Sequence, residues 1–111
     1  MSESSFVRIA RIADVPKGRM LEVTVGARNI VLCHTREGWF AVDNICTHAY
    51  AKLSEGRLRK IRLICPLHGA SFDCRTGAAI GPPAVAPLAT YAVRLTGEDV
   101  EIAVVLQQPG S

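Results

Sequence analysis

The sequence has 111 residues, a formal charge of +3, 49% hydrophobic residues and 21% charged residues. This composition excludes a chain that is disordered over most of its length, and the length is that of one small domain covering residues 1–111. The modest charge argues against nucleic-acid binding, which usually needs clustered Lys and Arg. No apolar stretch approaches the roughly 18 residues that span a bilayer, and the N-terminus has no signal-peptide pattern. We therefore expect a cytoplasmic protein without a membrane anchor.

Alternating apolar and polar residues predict short strands along most of the chain. Residues 19–25 and 28–33 form a predicted hairpin, and further strands are predicted at residues 39–43, 60–65, 71–73, 91–95 and 100–105. We expect flexible tails at residues 1–5 and 107–111, a short helical turn at most near Pro16, and an irregular segment at residues 78–89. Many short strands with few helical windows indicate an all-β protein, an antiparallel sandwich or barrel.

Two short segments each combine one cysteine with one histidine, Cys46-Thr47-His48 and Cys65-Pro66-Leu67-His68. Each follows a predicted strand, so two neighbouring loops can converge on one metal centre. Two thiolates and two imidazoles suit zinc or an iron–sulfur centre. Zinc sites usually take both ligands of one loop from the same residue type, whereas in a Rieske centre two cysteines bind one iron and two histidines bind the other. Mixed pairs on both loops favour the [2Fe–2S] centre over a structural zinc module.

The residues around these segments support the same interpretation. The spacing Cys-x-His-x₁₆-Cys-x₂-His resembles the Rieske family, together with residues 39–48, 53–56, 65–73 and 75–77 and with Gly81-Pro82-Pro83. The resemblance extends from about Val23 to about Val104. It implies the Rieske fold, one [2Fe–2S] cluster per chain, a cluster-binding subdomain at about residues 44–83, and the ligands Cys46, His48, Cys65 and His68.

The resemblance also implies a function. The chain is similar in length to stand-alone Rieske ferredoxins, which pass single electrons from a flavin-dependent reductase to the terminal oxygenase of a bacterial ring-hydroxylating dioxygenase system. It implies a monomer that turns over no substrate of its own. Its two histidines would be exposed at an apolar tip, which suits brief docking and comprises Tyr50, Leu67, Pro82 and Pro83.

Two other functions within the family are less favoured. A Rieske-like small subunit of a reductase, such as nitrite reductase, fits the fold and length, but such subunits commonly lack ligands that are present here. A catalytic oxygenase chain needs a second iron site with two histidines and a carboxylate. Only His34 remains for such a site, and the chain is too short for a second domain.

Four positions predict a low reduction potential. High-potential Rieske proteins carry a disulfide between the two loops and direct hydroxyl groups at the cluster sulfurs. The corresponding positions hold residues that can do neither, namely Ala51, Leu67, Ala70 and Phe72. Because hydrogen bonds to sulfur stabilise the reduced cluster, their absence predicts the low end of the Rieske range of about −150 to +300 mV.

The remaining cysteines, the remaining histidine and the cluster of basic residues have simpler interpretations. We expect Cys33 and Cys74 to be buried thiols and His34 to be a surface residue at a strand end. The basic residues between Arg57 and Arg62 predict a solvated strand face, with a docking patch for an acidic redox partner as the alternative.

Overall fold

A computed structural model describes residues 3–47, 50–67, 69–82 and 86–106 of the chain. Strands account for most of this part, and the helical elements within it are two short 3-10 turns at Ile12–Asp14 and Leu53–Glu55. The strands in chain order are β1 (Glu3–Arg11), β2 (Arg19–Val25), β3 (Arg28–Thr35), β4 (Gly38–Asp43), β5 (Arg57–Arg59), β6 (Arg62–Ile64), β7 (Ser71–Asp73), β8 (Ala79–Gly81), β9 (Thr90–Tyr91), β10 (Val93–Thr96) and β11 (Asp99–Leu106).

These strands form three antiparallel sheets. The first has the order β1-β11-β10, the second β2-β3-β4-β9, and the third β5-β6-β7-β8. The third sheet is formed by the chain between β4 and β9, so it is an insertion into the second sheet. No helix in the described residues is long and apolar enough to cross a membrane. The predicted all-β, antiparallel architecture is confirmed.

The central strand β3 separates two hydrophobic cores. Ile30 and Leu32 pack into a core shared with the first sheet, whereas Val31 and Cys33 pack into a core shared with the third sheet. All four side chains are fully buried. Successive side chains of a strand point to opposite faces, so a strand that is buried on both faces has consecutive apolar residues in its sequence. The second core is the one that carries the two predicted cysteine ligands.

Several predicted elements differ from the structure. Residues 60–65 are not one strand, because Lys60 and Ile61 form a turn that joins β5 to β6. The segment 78–89 includes the strand β8, which pairs with β7. The helical turn expected near Pro16 lies earlier, at Ile12–Asp14.

The prediction of a flexible N-terminal tail was also wrong for its last residues. Glu3–Arg11 form β1, which pairs with β11 along its length, from Glu3 with Leu106 to Arg11 with Asp99. This pairing joins the two ends of the chain, so local sequence offers little sign of it. Residues 107–111 of the other predicted tail lie outside the described residues.

His34 is not a free surface side chain. Its ring stacks on Trp39 with ring centroids 3.9 Å apart, and its Nδ1 lies 2.7 Å from the carbonyl oxygen of Val15. His34 and Trp39 are cross-strand partners in the β3–β4 ladder. The stack covers both rings, which explains why the histidine is half-buried at a strand end.

Candidate metal centre

The two predicted cysteine ligands occupy equivalent places at the bases of two loops. The backbone N–H of Cys46 donates to the carbonyl of Ala51 at 2.9 Å, and that of Cys65 donates to the carbonyl of Ala70 at 2.7 Å. Each bond joins a cysteine to the residue five positions later, so the loops have the same length. We call residues 46–51 the first ligand loop and residues 65–70 the second ligand loop.

The two thiols lie side by side in an apolar wall. Cys46 is 4% exposed and Cys65 is 2% exposed, and their side chains are in hydrogen-bond contact. Burial raises the pKa of the Cys65 thiol, a hydrogen bond from the Leu67 backbone amide lowers it, and the neighbouring Cys46 raises it. The structure therefore brings together two of the four predicted ligands, and both lie in the core that includes Ala70 and Phe72.

The other two predicted ligands, His48 and His68, lie outside the described residues, as does Pro83 of the predicted tip. Of the remaining tip residues, Tyr50 is 99% exposed and Leu67 is 45% exposed. Pro82 is exposed as well. The described parts of the two ligand loops thus bury Cys46 and Cys65 and expose the large side chains of Tyr50 and Leu67.

Asn44 anchors the first ligand loop, and sequence reasoning did not single it out. Its fully buried amide donates to Asn29 Oδ1 at 2.7 Å and to Ser54 Oγ at 3.0 Å, and its Oδ1 accepts from the Ser54 backbone N–H at 2.8 Å. Its backbone carbonyl accepts from Leu53 at 2.7 Å. The sequence signal available for this role was the position of Asn44, a polar residue directly after a predicted strand and two positions before Cys46.

A third segment lies against the first ligand loop. It comprises residues 86–88, which contain Pro87, and we call it the proline loop. Thr47 Oγ1 donates to the carbonyl of Ala86 at 2.8 Å, and the Leu88 backbone N–H donates to the carbonyl of Gly77 at 2.8 Å. The first bond ties the proline loop to the residue after Cys46, and the second fixes its end to the turn after β7.

Cys33 and Cys74 form a second pair of buried thiols, and both lie outside the two ligand loops. Both are at most 1% exposed, which confirms the prediction of buried thiols. A hydrogen bond with Cys74 raises the pKa of Cys33, as does burial. These thiols pack in the same core as Cys46 and Cys65, and they provide a built-in comparison for experiments on the ligand cysteines.

The described residues fit an iron–sulfur cluster. Two buried thiols lie in contact, and a backbone N–H is directed at one of the sulfurs, as expected for two thiolate ligands of one iron. The apolar wall around them limits the access of water. Two loops of equal length can each bring one ligand to each iron, because each loop carries a cysteine followed by a histidine.

Comparisons with known proteins agree with this arrangement. Residues 5–92 match the model of the Rieske [2Fe–2S] domain family. The ferredoxin component of the naphthalene 1,2-dioxygenase system of Pseudomonas aeruginosa is 37% identical over 80% of this chain and 86% of its own. The ferredoxin component of biphenyl 2,3-dioxygenase of Rhodococcus jostii is 38% identical over 86% of this chain and 90% of its own.

Solved structures resemble the fold closely. A structure of carbazole 1,9a-dioxygenase, described as a complex of reduced oxygenase and oxidized ferredoxin, contains a chain with a TM-score of 0.84 and 29% identity, over 88% of this chain and 92% of that one. A nitrite reductase small subunit has a TM-score of 0.76 at 19% identity, over 88% of this chain and 97% of that one, and shares the fold alone.

These relatives are named as ferredoxin components, that is, electron-transfer partners of oxygenases and not the catalytic chains. The family match covers most of the chain, and the buried, paired cysteines are suited to bind an iron–sulfur cluster. The chain therefore belongs to the Rieske [2Fe–2S] family, whose cofactor is a Rieske-type cluster.

Proposed function

We propose that this protein is the one-electron carrier of a ring-hydroxylating dioxygenase system. It would accept electrons from a flavin-dependent reductase and deliver them to a terminal Rieske oxygenase. The observation that carries the proposal is the pair of equivalent ligand loops, with Cys46 and Cys65 buried side by side. The ferredoxin relatives support the same role at more than a third identity.

We assign the cluster ligands residue by residue. Cys46 and Cys65 bind one iron, because their thiols are in contact and buried. His48 and His68 bind the other iron, since each follows one of these cysteines on its loop. The bound cluster supplies a site that gains and loses one electron. The third sheet and its two ligand loops would form the cluster-binding subdomain, residues 44–83, of a single domain that spans residues 1–111.

The protein sets the cluster potential through the side chains that face it. Ala70 and Phe72 are fully buried and carry no hydroxyl, so their side chains cannot donate to sulfur. Ala51 and Leu67 cannot form a disulfide between the loops. These features favour a potential near the low end of the Rieske range.

The tip of the molecule provides the docking surface for both redox partners. Tyr50, Leu67 and Pro82 are exposed, and Pro83 follows in the sequence. Apolar side chains exposed around a small area suit a weak, short-lived contact, which allows one carrier to meet two partners in turn.

The cluster and its ligands can be tested with the purified protein. Cys46→Ala and Cys65→Ala should lose the red-brown colour, the bound iron and the EPR signal of the reduced protein, whose average g value lies below that of the free electron. Cys33→Ala removes an equally buried thiol and should keep all three. A colourless wild-type protein with bound zinc would contradict the assignment.

The carrier role needs a second experiment. The holoprotein should transfer electrons between the reductase and the oxygenase of the naphthalene or biphenyl system, with no oxygenation when it is omitted. Leu67→Ala should slow this transfer severalfold, whereas Leu95→Ala, which removes a similarly exposed leucine on β10, should not. Equal rates for both variants would show that the tip is not part of the docking surface.

Location and assembly complete the proposal. We infer a cytoplasmic monomer, because a carrier that meets two partners needs its tip uncovered. Sedimentation of the holoprotein should give the mass of one chain, 12.0 kDa plus the cluster. Obligate copurification with a large subunit would instead favour a reductase small subunit.

A further inference from the structure

The hairpin formed by β5 and β6 places like charges opposite each other. Arg59 and Arg62 are direct cross-strand partners, and Arg57 lies on the same face because side chains alternate along a strand. The inward-facing partners of this hairpin are Leu58 and Leu63. Like charges directly opposite each other destabilise an antiparallel pair, so the hairpin itself gains nothing from this arrangement.

The turn of this hairpin adds another positive charge in an unfavourable conformation. Lys60 has φ +58°, and it is the one residue other than glycine with positive φ in the described chain. This region favours glycine, asparagine or aspartate at a two-residue turn. Lys60 is also exposed. A lysine therefore occupies a turn position whose backbone conformation is unfavourable for it.

The charges of the hairpin are not neutralised within the described parts of the chain. None of the ion pairs found there involves Arg57, Arg59, Lys60 or Arg62. Arg62 donates one hydrogen bond, to Ser71 Oγ at 3.2 Å. Asp73 is the cross-strand partner of Arg62, but its carboxylate binds Arg75.

A groove adjoins the hairpin, and a further arginine lines it. Its volume is about 440 Å³, and it lies between the edge strands β2 and β5, with Arg19 and Met20 on one side and Arg57 and Arg59 on the other. Arg19 is exposed and, within the described residues, belongs to none of the ion pairs. The nearest acidic residue in sequence, Glu55, is a single charge against these arginines.

We propose that the β5–β6 hairpin and this groove form an electrostatic docking surface for an acidic face of a redox protein. β6 leads directly into Cys65, and Arg57 pairs with Ile64, the residue before that cysteine. The basic turn and the second ligand loop lie at opposite ends of β6, which has three residues and is about 10 Å long. A protein partner that contacts the tip and covers about 800 Å² can therefore extend along β6 to the basic hairpin. Opposite charge on the partner would compensate the repulsion that the hairpin carries alone, and it would raise the association rate.

This inference rests on the proposed carrier function and names the charge of the partner. Its test uses reduced flavodoxin, an acidic flavoprotein that donates single electrons, mixed with the oxidised holoprotein in a stopped-flow instrument. The double variant Arg59→Gln/Lys60→Gln should lower the second-order rate about fivefold at low salt. The difference should vanish near about 0.5 M salt, where surface charges are screened.

Arg36→Gln/Lys17→Gln provides the matched comparison, because it removes the same charge from exposed positions outside the hairpin and groove. It should change the rate less than about twofold. Equal slowing by both double variants would overturn the proposal, and so would tighter binding of single-stranded DNA or anionic phosphatidylglycerol vesicles than of flavodoxin at the same ionic strength.

Two further measurements separate this proposal from the carrier function. Chemical reduction by dithionite and the EPR signal should be unchanged in the hairpin variant, since the cluster is intact. Its melting temperature should equal or exceed that of the wild type, because one repulsive pair is removed. A lower melting temperature would show that Arg59 and Lys60 serve the fold, and it would overturn the proposal. A protein that dithionite reduces but flavodoxin does not would overturn the docking surface and leave the cluster assignment standing.

Discussion

Asn44 and Ser54 bind each other through two hydrogen bonds at the base of the first ligand loop. The Asn44 amide nitrogen donates to Ser54 Oγ at 3.0 Å, and the Ser54 backbone N–H donates to Asn44 Oδ1 at 2.8 Å. This pair joins the start of the first ligand loop to the turn at Leu53–Glu55 that follows it. The ligand loop is therefore held at both ends by one buried side chain.

We expect Asn44→Ala to lower the free energy of unfolding by about 2–4 kcal/mol, because it empties a fully buried position and leaves part-buried polar atoms of Ser54 and Asn29 unsatisfied. Urea denaturation of the holoprotein measures this change, and the iron content per chain should fall in parallel. Asn44→Asp places a carboxylate at a fully buried position opposite the acceptor Asn29 Oδ1, so it should lose at least as much stability. A change below about 0.5 kcal/mol would show that the buried amide does not anchor the loop.

The apolar wall behind the cysteines should control the reduction potential. Ala70→Ser and Phe72→Tyr introduce hydroxyl groups at buried positions beside the ligand loops. A hydroxyl that donates to the reduced, more negative cluster should raise the potential by up to about 60–120 mV, the equivalent of a hydrogen bond to a charged group.

A redox titration followed by EPR measures these potentials. The exposed substitution Ala78→Ser introduces the same hydroxyl away from the ligand loops and should leave the potential unchanged. A wild-type potential well above about 0 mV would contradict the prediction of a low-potential centre.

The Asp73–Arg75 pair should make stability depend on acid pH. Arg75 holds the pKa of Asp73 below its usual value through hydrogen bonds from Nε at 3.0 Å and Nη2 at 2.8 Å, and the Arg75 backbone N–H donates at 2.8 Å. A carboxyl whose pKa is lower in the folded state contributes its stability above its unfolded pKa of about 3.9. This contribution is lost as the pH falls through the lowered folded pKa.

We therefore expect wild type to exceed Asp73→Asn in stability by about 1–2 kcal/mol at pH 7, with the difference shrinking below about pH 4. Urea midpoints across this range measure the difference. Asp14→Asn serves for comparison, because Asp14 lies on an exposed turn. A difference between wild type and Asp73→Asn that stays constant with pH would argue against the ion pair.

Gly77 should tolerate no side chain, because it lies directly against the end of the proline loop. It has φ +80°, and a Cβ there would lie 2.2 Å from the Leu88 carbonyl oxygen. Gly77→Ala should therefore destabilise the protein by about 3 kcal/mol or more and displace Leu88. Gly97→Ala separates the contact with Leu88 from the effect of positive φ. Gly97 has φ +61°, and a Cβ there would have nothing within 4 Å, so this substitution should cost only about 1 kcal/mol. Equal losses in thermal or urea denaturation would mean that the contact with Leu88 is not limiting.

Local sequence was sufficient to predict much of the fold. The strand predicted at residues 19–25 agrees with β2, and the one at 71–73 agrees with β7, because alternating side chains specify a strand locally. It was insufficient at residues 60–65, where no Gly, Pro, Asn or Asp marks the turn. The turn at Lys60 depends on pairing between β5 and β6, and it uses a residue that turns rarely select.

The sequence by itself determined the kind of centre, because cysteine and histidine have few metal partners and the spacing distributes one of each to two loops. The tertiary structure decided what surrounds it. Asn44 finds its partners at Asn29 and Ser54, 15 and 10 residues away, and β1 pairs with the opposite end of the chain. Contacts of this kind depend on which strands become neighbours, and no local periodicity encodes that choice.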